Sequence, residues 1–235
     1  MQVTFRIHRF DPEKQPVPKM QTFVLDNVKP TDAVLDILHR IKWEQDGSLT
    51  FRRSCAHGIC GSCGMRVNNR NMLACSTLLQ DLNLRKPIKV EPLPGMPPLK
   101  DLVVDMTRFY EKYEAVKPYL VAKSVLPEKE RHQSNEDAER LIEAAKCILC
   151  GCCTAACPSA WTDERFLGPA ALLKAYRFIF DTRDEATDER LDIIDSPNGI
   201  WRCRTVFNCV EACPKDIDVT GHLSQLKRAA VARQL

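Results

Sequence analysis

The chain has no long apolar run. No window of its 235 residues approaches the roughly 18 to 20 uncharged apolar residues that a membrane-crossing helix needs, so the chain is expected to be soluble and to meet a membrane only through its folded surface or a partner. The first residues, MQVTFRIHRFDPEK, show neither the apolar core of a secretory signal nor the Ser- and Arg-rich, acid-poor character of a transit peptide, and export is not expected. Charge of one sign is equally scarce. Lys plus Arg number 34 against 31 Asp plus Glu, and no basic stripe interleaves with aromatics, so nucleic acid is not an expected partner. Glycine numbers only nine, and the G-x-x-G fragments among the cysteines fall short of a phosphate-binding loop. With no nucleotide loop and no nucleophile paired to a base, bond-making chemistry has no foothold.

Cysteine is what the chain has in excess. Twelve cysteines without a signal for an oxidising compartment point to metal or redox chemistry ahead of disulfides. The length suits two small domains, and the patterning divides the same way. Val3, Phe5 and Ile7 alternate with polar residues, PVPK breaks the run and TFVL follows, which predicts a hairpin. In KPTDAVLDILHRIKW, Thr31 can cap a helix that places Val34, Leu35, Leu38 and Ile41 on one face. MRVNNRNML offers two short strands about an Asn turn, and IKVEPL another strand before the breaker PGMPP.

A small α+β domain over residues 1–102 is therefore expected, followed by an all-helical region over 103–235. The helical segments are DLVVDMTRFYEKYEAVKPYL, SNEDAERLIEAAK capped by Ser134, GPAALLKAYRFIFD with Pro169 in its first turn, and TGHLSQLKRAAVARQL. KSVLPEKERHQSNEDAER reads as a solvated connector.

Three cysteine constellations carry the chemistry. Cys55, Cys60, Cys63 and Cys75 have the plant-type C-x4-C-x2-C…C spacing of a two-iron cluster, with Gly58, Gly61 and Gly64 free to turn the backbone round the sulfurs. Structural zinc is the alternative, but zinc sites usually pair two short knuckles and Cys75 has no close companion. Cys147, Cys150, Cys153 and Cys157-Pro158 match the bacterial run C-x2-C-x2-C-x3-C-P in full. CRTVFNCVEACP repeats it with Val206 in place of the second cysteine.

In two-cluster ferredoxins the fourth cysteine of each run ligates the other cluster. Crossing them gives Cys147, Cys150, Cys153 and Cys213 for a [4Fe-4S] centre, and Cys157, Cys203 and Cys209 for a [3Fe-4S] centre whose missing corner faces Val206. Water or a side-chain oxygen holding a fourth iron remains the alternative. Cys152 lies outside both sets and is expected to be a small buried filler. Clusters of different types permit different potentials, which suits an electron relay.

CAHGICGSCG with MLAC, CILCGCCTAACPS and CRTVFNCVEACPKDI, in that order, resemble the iron-sulfur subunits of succinate dehydrogenases (succinate:quinone oxidoreductase, respiratory complex II), and the resemblance runs over essentially the whole chain, including DLVVDMTRFY and GPAALLKAYRFIFDTRDEATDERL. It implies an N-terminal β-grasp [2Fe-2S] ferredoxin domain and a C-terminal all-α helical ferredoxin domain. It also implies electron flow from a flavoprotein subunit, whose covalently bound FAD oxidises succinate to fumarate, to a membrane quinone. The chain would then lie peripherally on the cytoplasmic face of a bacterial inner membrane, held by anchor subunits. Fumarate reductase, the same chemistry run in reverse, is the near twin, and a free ferredoxin carrier or a zinc-stabilised module are readings of other classes.

By the resemblance, Pro158, Ser159 and Trp161 shape the quinone pocket. Two departures stand out. Thr162 occupies a position where many relatives carry a second Trp, and Arg204 one where many haem-containing relatives carry His. Arg204 can pair with a propionate or position a quinone, so the haem b content of the anchor and the quinone type stay open.

Overall fold

The computed structural model describes residues 1–125 and 127–234, grouped into two units: Met1–Met106 with Ile148–Ala155, and Thr107–Cys147 with Ala156–Leu235. In the first unit β1 (Val3–Asp11) and β2 (Gln15–Leu25) form the expected antiparallel hairpin, with Val3, Phe5 and Ile7 pointing into the core. Helix α1 (Val34–Arg40) buries Val34, Leu35, Ile37 and Leu38 and runs into a π-type turn at Ile41–Gln45.

The helix starts two residues later than a Thr31 cap would allow. Ala33 holds the extended N-cap conformation, fixed by a bridge to Leu78 and by its N–H donating to Asp36 Oδ2 at 2.9 Å. The backbone pairing decides the start here, and the threonine hydroxyl does not.

Strands β3 (Gly64–Val67) and β4 (Arg70–Leu73) turn through Asn68 and Asn69, both at positive φ as a two-residue hairpin turn requires. Strand β5 (Ile88–Glu91) then runs parallel to β1 and antiparallel to β3, giving the order β2-β1-β5-β3-β4. This mixed sheet covered by α1 is a β-grasp.

A further pair, β6 (Pro98–Lys100) and β7 (Val103–Val104), replaces the helical start expected at Asp101. The reason is the Asp101 carboxylate, buried and saturated: it accepts from Arg9 Nε at 3.0 Å, Phe10 N at 3.0 Å and Thr50 N at 2.8 Å. That anchor stitches residues 98–104 to the sheet.

In the second unit α2 spans Thr107–Ala115 and α3 Asn135–Ala145, the latter capped by Ser134, whose Oγ accepts from Asp137 N at 3.0 Å. The one-turn α4 (Cys152–Ala155) belongs to the first unit. Next come α5 (Pro158–Thr162), α6 (Pro169–Ile179), α7 (Thr187–Ile194), the one-turn α8 (Asn208–Glu211) and α9 (Val219–Gln234).

Helix α6 is the core of this unit, burying Leu172, Leu173, Ala175 and Tyr176 against its neighbours. The stretch 117–121, just ahead of the charged connector at 123–140, is held to the body of the unit. Arg190, wholly buried, pairs with Asp184 and donates to the carbonyls of Lys117 at 3.0 Å and Tyr119 at 2.7 Å. Among the described residues no helix is long and apolar enough to cross a membrane.

The grouping differs from a 1–102 and 103–235 division at 103–106 and 148–155. Leu93, Cys152 and Ala155 share one small buried cluster, which draws the second segment into the first unit.

Candidate metal centres

None of the twelve cysteines is in a disulfide. The loop that carries Cys55, Cys60 and Cys63 takes positive φ at Ala56, Gly58 and Gly61, and each reversal turns amide hydrogens inward. His57, Ile59 and Cys60 direct their N–H groups at Cys55 Sγ, 3.5, 3.4 and 3.3 Å away, while Cys55 N lies 3.5 Å from Cys60 Sγ and Gly58 N 3.3 Å from Cys75 Sγ.

These amides, that of His57 foremost, pull the Cys55 thiol down to about 6. Burial pushes Cys63 up to about 12. A nest of amide donors round exposed sulfur, backed by one buried sulfur, suits anionic thiolates bound to iron. Among the described residues no three metal-binding side chains converge tightly enough for a single ion.

The segment Ile148–Ala155 lies backbone to backbone with this loop. A Cβ on Gly61 would come within 2.8 Å of the Ile148 carbonyl oxygen and 3.0 Å of Cys150 Cα, and one on Gly64 within 2.9 Å of the Cys150 carbonyl oxygen. Asn71 Nδ2 donates to the Cys152 carbonyl at 3.1 Å. Cys152 is fully buried beside Leu93 and Ala155, and its side chain hydrogen-bonds Cys150, lowering that thiol. Of the cysteines assigned to the four-iron set, Cys150 and Cys153 stand in the first unit, Cys147 and Cys213 in the second.

The second unit holds the other set. Cys157, Cys203 and Cys209 line one recess, and Pro158, Ser159, Arg204 and Val206 line it too. Burial raises the Cys157 and Cys209 thiols. Countering this, the amides of Ala160 and Ser159 and the Ser159 hydroxyl bond the Cys157 sulfur, and Thr220 Oγ1 lies 3.3 Å from Cys209 Sγ. Lys227 Nζ donates to the Cys203 carbonyl at 2.9 Å and Asn208 Nδ2 to that of Ala156 at 3.2 Å, holding the two loops to the body of the unit.

Trp161 is not part of this lining. It sits on the same short helix as Ser159 but is 54% exposed, whereas Ser159 is buried with its hydroxyl on a cysteine sulfur. Thr220 and Lys227 went unmarked in the sequence because they follow Cys213 by 7 and 14 residues on a helix, outside the cysteine run itself.

Two compact units, one a β-grasp with a donor-lined cysteine loop and one helical with three cysteines round a recess, define an iron-sulfur protein of the ferredoxin type. Residues 4–111 match the family described as 2Fe-2S iron-sulfur cluster binding domain, and residues 140–214 match the 4Fe-4S dicluster domain.

The chain is 44% identical over 230 residues to the succinate dehydrogenase iron-sulfur subunit of Paracoccus denitrificans, covering 97% of this chain and 88% of that one. It is 46% identical over 227 residues to the subunit of the same name from Coxiella burnetii, covering 96% and 95%. A chain of the Mycobacterium smegmatis Sdh1 complex in the apo form superposes with a TM-score of 0.89 at 28% identity, covering 99% of this chain and 96% of that one. The chain belongs to the family of succinate dehydrogenase iron-sulfur subunits.

Proposed function

We propose that the chain relays electrons within a succinate dehydrogenase, from a flavoprotein partner carrying FAD to a quinone at the boundary with membrane anchor subunits. In this reading Cys55, Cys60, Cys63 and Cys75 hold [2Fe-2S], Cys147, Cys150, Cys153 and Cys213 hold [4Fe-4S], and Cys157, Cys203 and Cys209 hold [3Fe-4S]. The domains divide near residue 102. The clusters supply one-electron carriers of differing potential.

The residues of the chain supply the rest. Amides of His57, Ile59 and Cys60 favour the thiolate form at Cys55, the Gly58 amide faces the Cys75 sulfur, and the glycines at 61 and 64 let the segment bearing Cys150 approach the two-iron loop without a side chain between them. Thiolate placement and close approach are what a relay demands of its protein.

The observation that carries the reading is the recess itself, with three cysteines and a valine lining one cavity. Pro158, Ser159 and Arg204 border the same recess, and Trp161 stands exposed on α5, presenting an indole ring to a partner. These residues, with Arg204 as the local cation, form the quinone side of the relay. Whether the anchor carries haem b is set by residues of the anchor. The complex would sit on the cytoplasmic face of a bacterial inner membrane.

Trp161→Phe in the assembled complex tests the quinone assignment. Quinone reduction should weaken while succinate oxidation coupled to an artificial dye is kept, and an equal loss in both would contradict it.

A further inference from the structure

Thr220 is buried, at 2% exposure, at the start of α9, and its Oγ1 lies 3.3 Å from the sulfur of Cys209, itself a buried residue. Either atom could carry the shared proton in a free thiol, but a cysteine that ligates iron has no proton to give. The hydroxyl must then be the donor. Thr220 also lines the recess that Cys157, Cys203 and Cys209 share. Its helix is fixed at this end by Gly221 N donating to Asp218 Oδ1 at 2.9 Å, and by Ser224 Oγ donating to the Thr220 carbonyl at 2.9 Å.

We propose that Thr220 tunes the reduction potential of the cluster held by Cys157, Cys203 and Cys209, raising it through a hydrogen bond from its hydroxyl to the Cys209 thiolate. The inference rests on those three cysteines being cluster ligands. Reduction adds an electron to the cluster, and part of that negative charge falls on the ligand sulfurs. A donor aimed at one sulfur therefore stabilises the reduced state more than the oxidised one, and the potential rises. The effect is large where water is excluded, as it is round Thr220 and Cys209. Thr220 touches a ligand and not the cluster, so it is a tuning residue. A higher potential at this centre would draw electrons toward the end of the chain where the quinone is proposed to bind.

The test is an EPR-monitored redox titration of the assembled complex carrying Thr220→Val, which keeps shape and removes the donor, beside Thr220→Ser, which keeps the donor. The midpoint of the three-iron signal should fall in Thr220→Val and stay near the unsubstituted value in Thr220→Ser, with the two-iron midpoint unmoved in both. Should Thr220→Val fail to assemble, Thr220→Ala removes the same donor without a branched side chain and is expected to show the same fall. An unchanged midpoint without the hydroxyl, or an equal fall with serine, overturns the inference while leaving the ligand assignment intact. Absence of any three-iron signal from the unsubstituted complex overturns both.

Discussion

Val206 stands in its loop where Cys150 stands in the other. Cys150 lies between Leu149 at φ 55 and Gly151 at φ 81, and Val206 lies between Thr205 at φ 57 and Phe207 at φ 61. Each is followed, two residues on, by the first residue of a one-turn helix, Cys152 in one case and Asn208 in the other. The two loops are one backbone design used twice, and a left-handed conformation at a residue as bulky as Phe207 is a cost a protein meets only when the turn is needed. In the proposed assignment the valine occupies a ligand position whose backbone conformation has been kept.

Restoring a thiol there should therefore restore a ligand. Val206→Cys is expected to raise the iron content of the second unit by one and to replace the three-iron EPR signal of the oxidised complex with a four-iron signal seen on reduction. Unchanged iron content and an unchanged spectrum would show that the vacancy has another cause.

Cys152 is sealed between Leu93 and Ala155 and hydrogen-bonds Cys150 through its side chain. Serine keeps a donor at that point, so Cys152→Ser should retain all three centres by iron and sulfide analysis. Burying the more polar hydroxyl should cost about 1–3 kcal/mol, read as a lower unfolding midpoint. Loss of any centre would place Cys152 among the ligands.

The Arg190–Asp184 pair is completely buried and clamps residues 117–121 to α7. Removing one partner leaves the other charge stranded. Arg190→Ala should destabilise the helical unit by roughly 3–5 kcal/mol in thermal or denaturant unfolding. A change below about 1 kcal/mol would mean water reaches Asp184 freely.

Glu185 ties the connector down. Its carboxylate accepts from the Ser124 hydroxyl and from the amides of Ser124 at 2.7 Å and Lys123 at 2.6 Å, which lowers it from 4.5 to about 2. Its folded value lies below its unfolded one, so this tie holds fully above about pH 4.5 and is lost as pH falls toward 2. Hydrogen-exchange protection of the Lys123 and Ser124 amides should fall through that window. Glu185→Gln should lower it at neutral pH, and protection equal to that of the unsubstituted protein would refute the tie.

What could be read from the sequence was whatever is local. Alternation in VTFRI, the Asn68–Asn69 turn, the Ser134 cap and Pro169 all act within a few residues, and the structure has them where the pattern put them. The cysteine runs are legible for the same reason, since ligand spacing is a property of one loop. Thr31 and Asp101 misled because distant partners decide them: Leu78 fixes the start of α1, and the sheet captures Asp101. Helix α7 has weak amphipathicity and an ion pair at its centre, so periodicity did not reveal it. Thr220 meets Cys209 only through the tertiary fold.

The central claim, three centres of different nuclearity in one chain, is tested most directly by redox-titrated EPR with iron and zinc analysis on the complex purified from native membranes. Three separate paramagnetic centres, of two, four and three irons, are expected, with no stoichiometric zinc. Only two such centres, or zinc in place of iron, would contradict it.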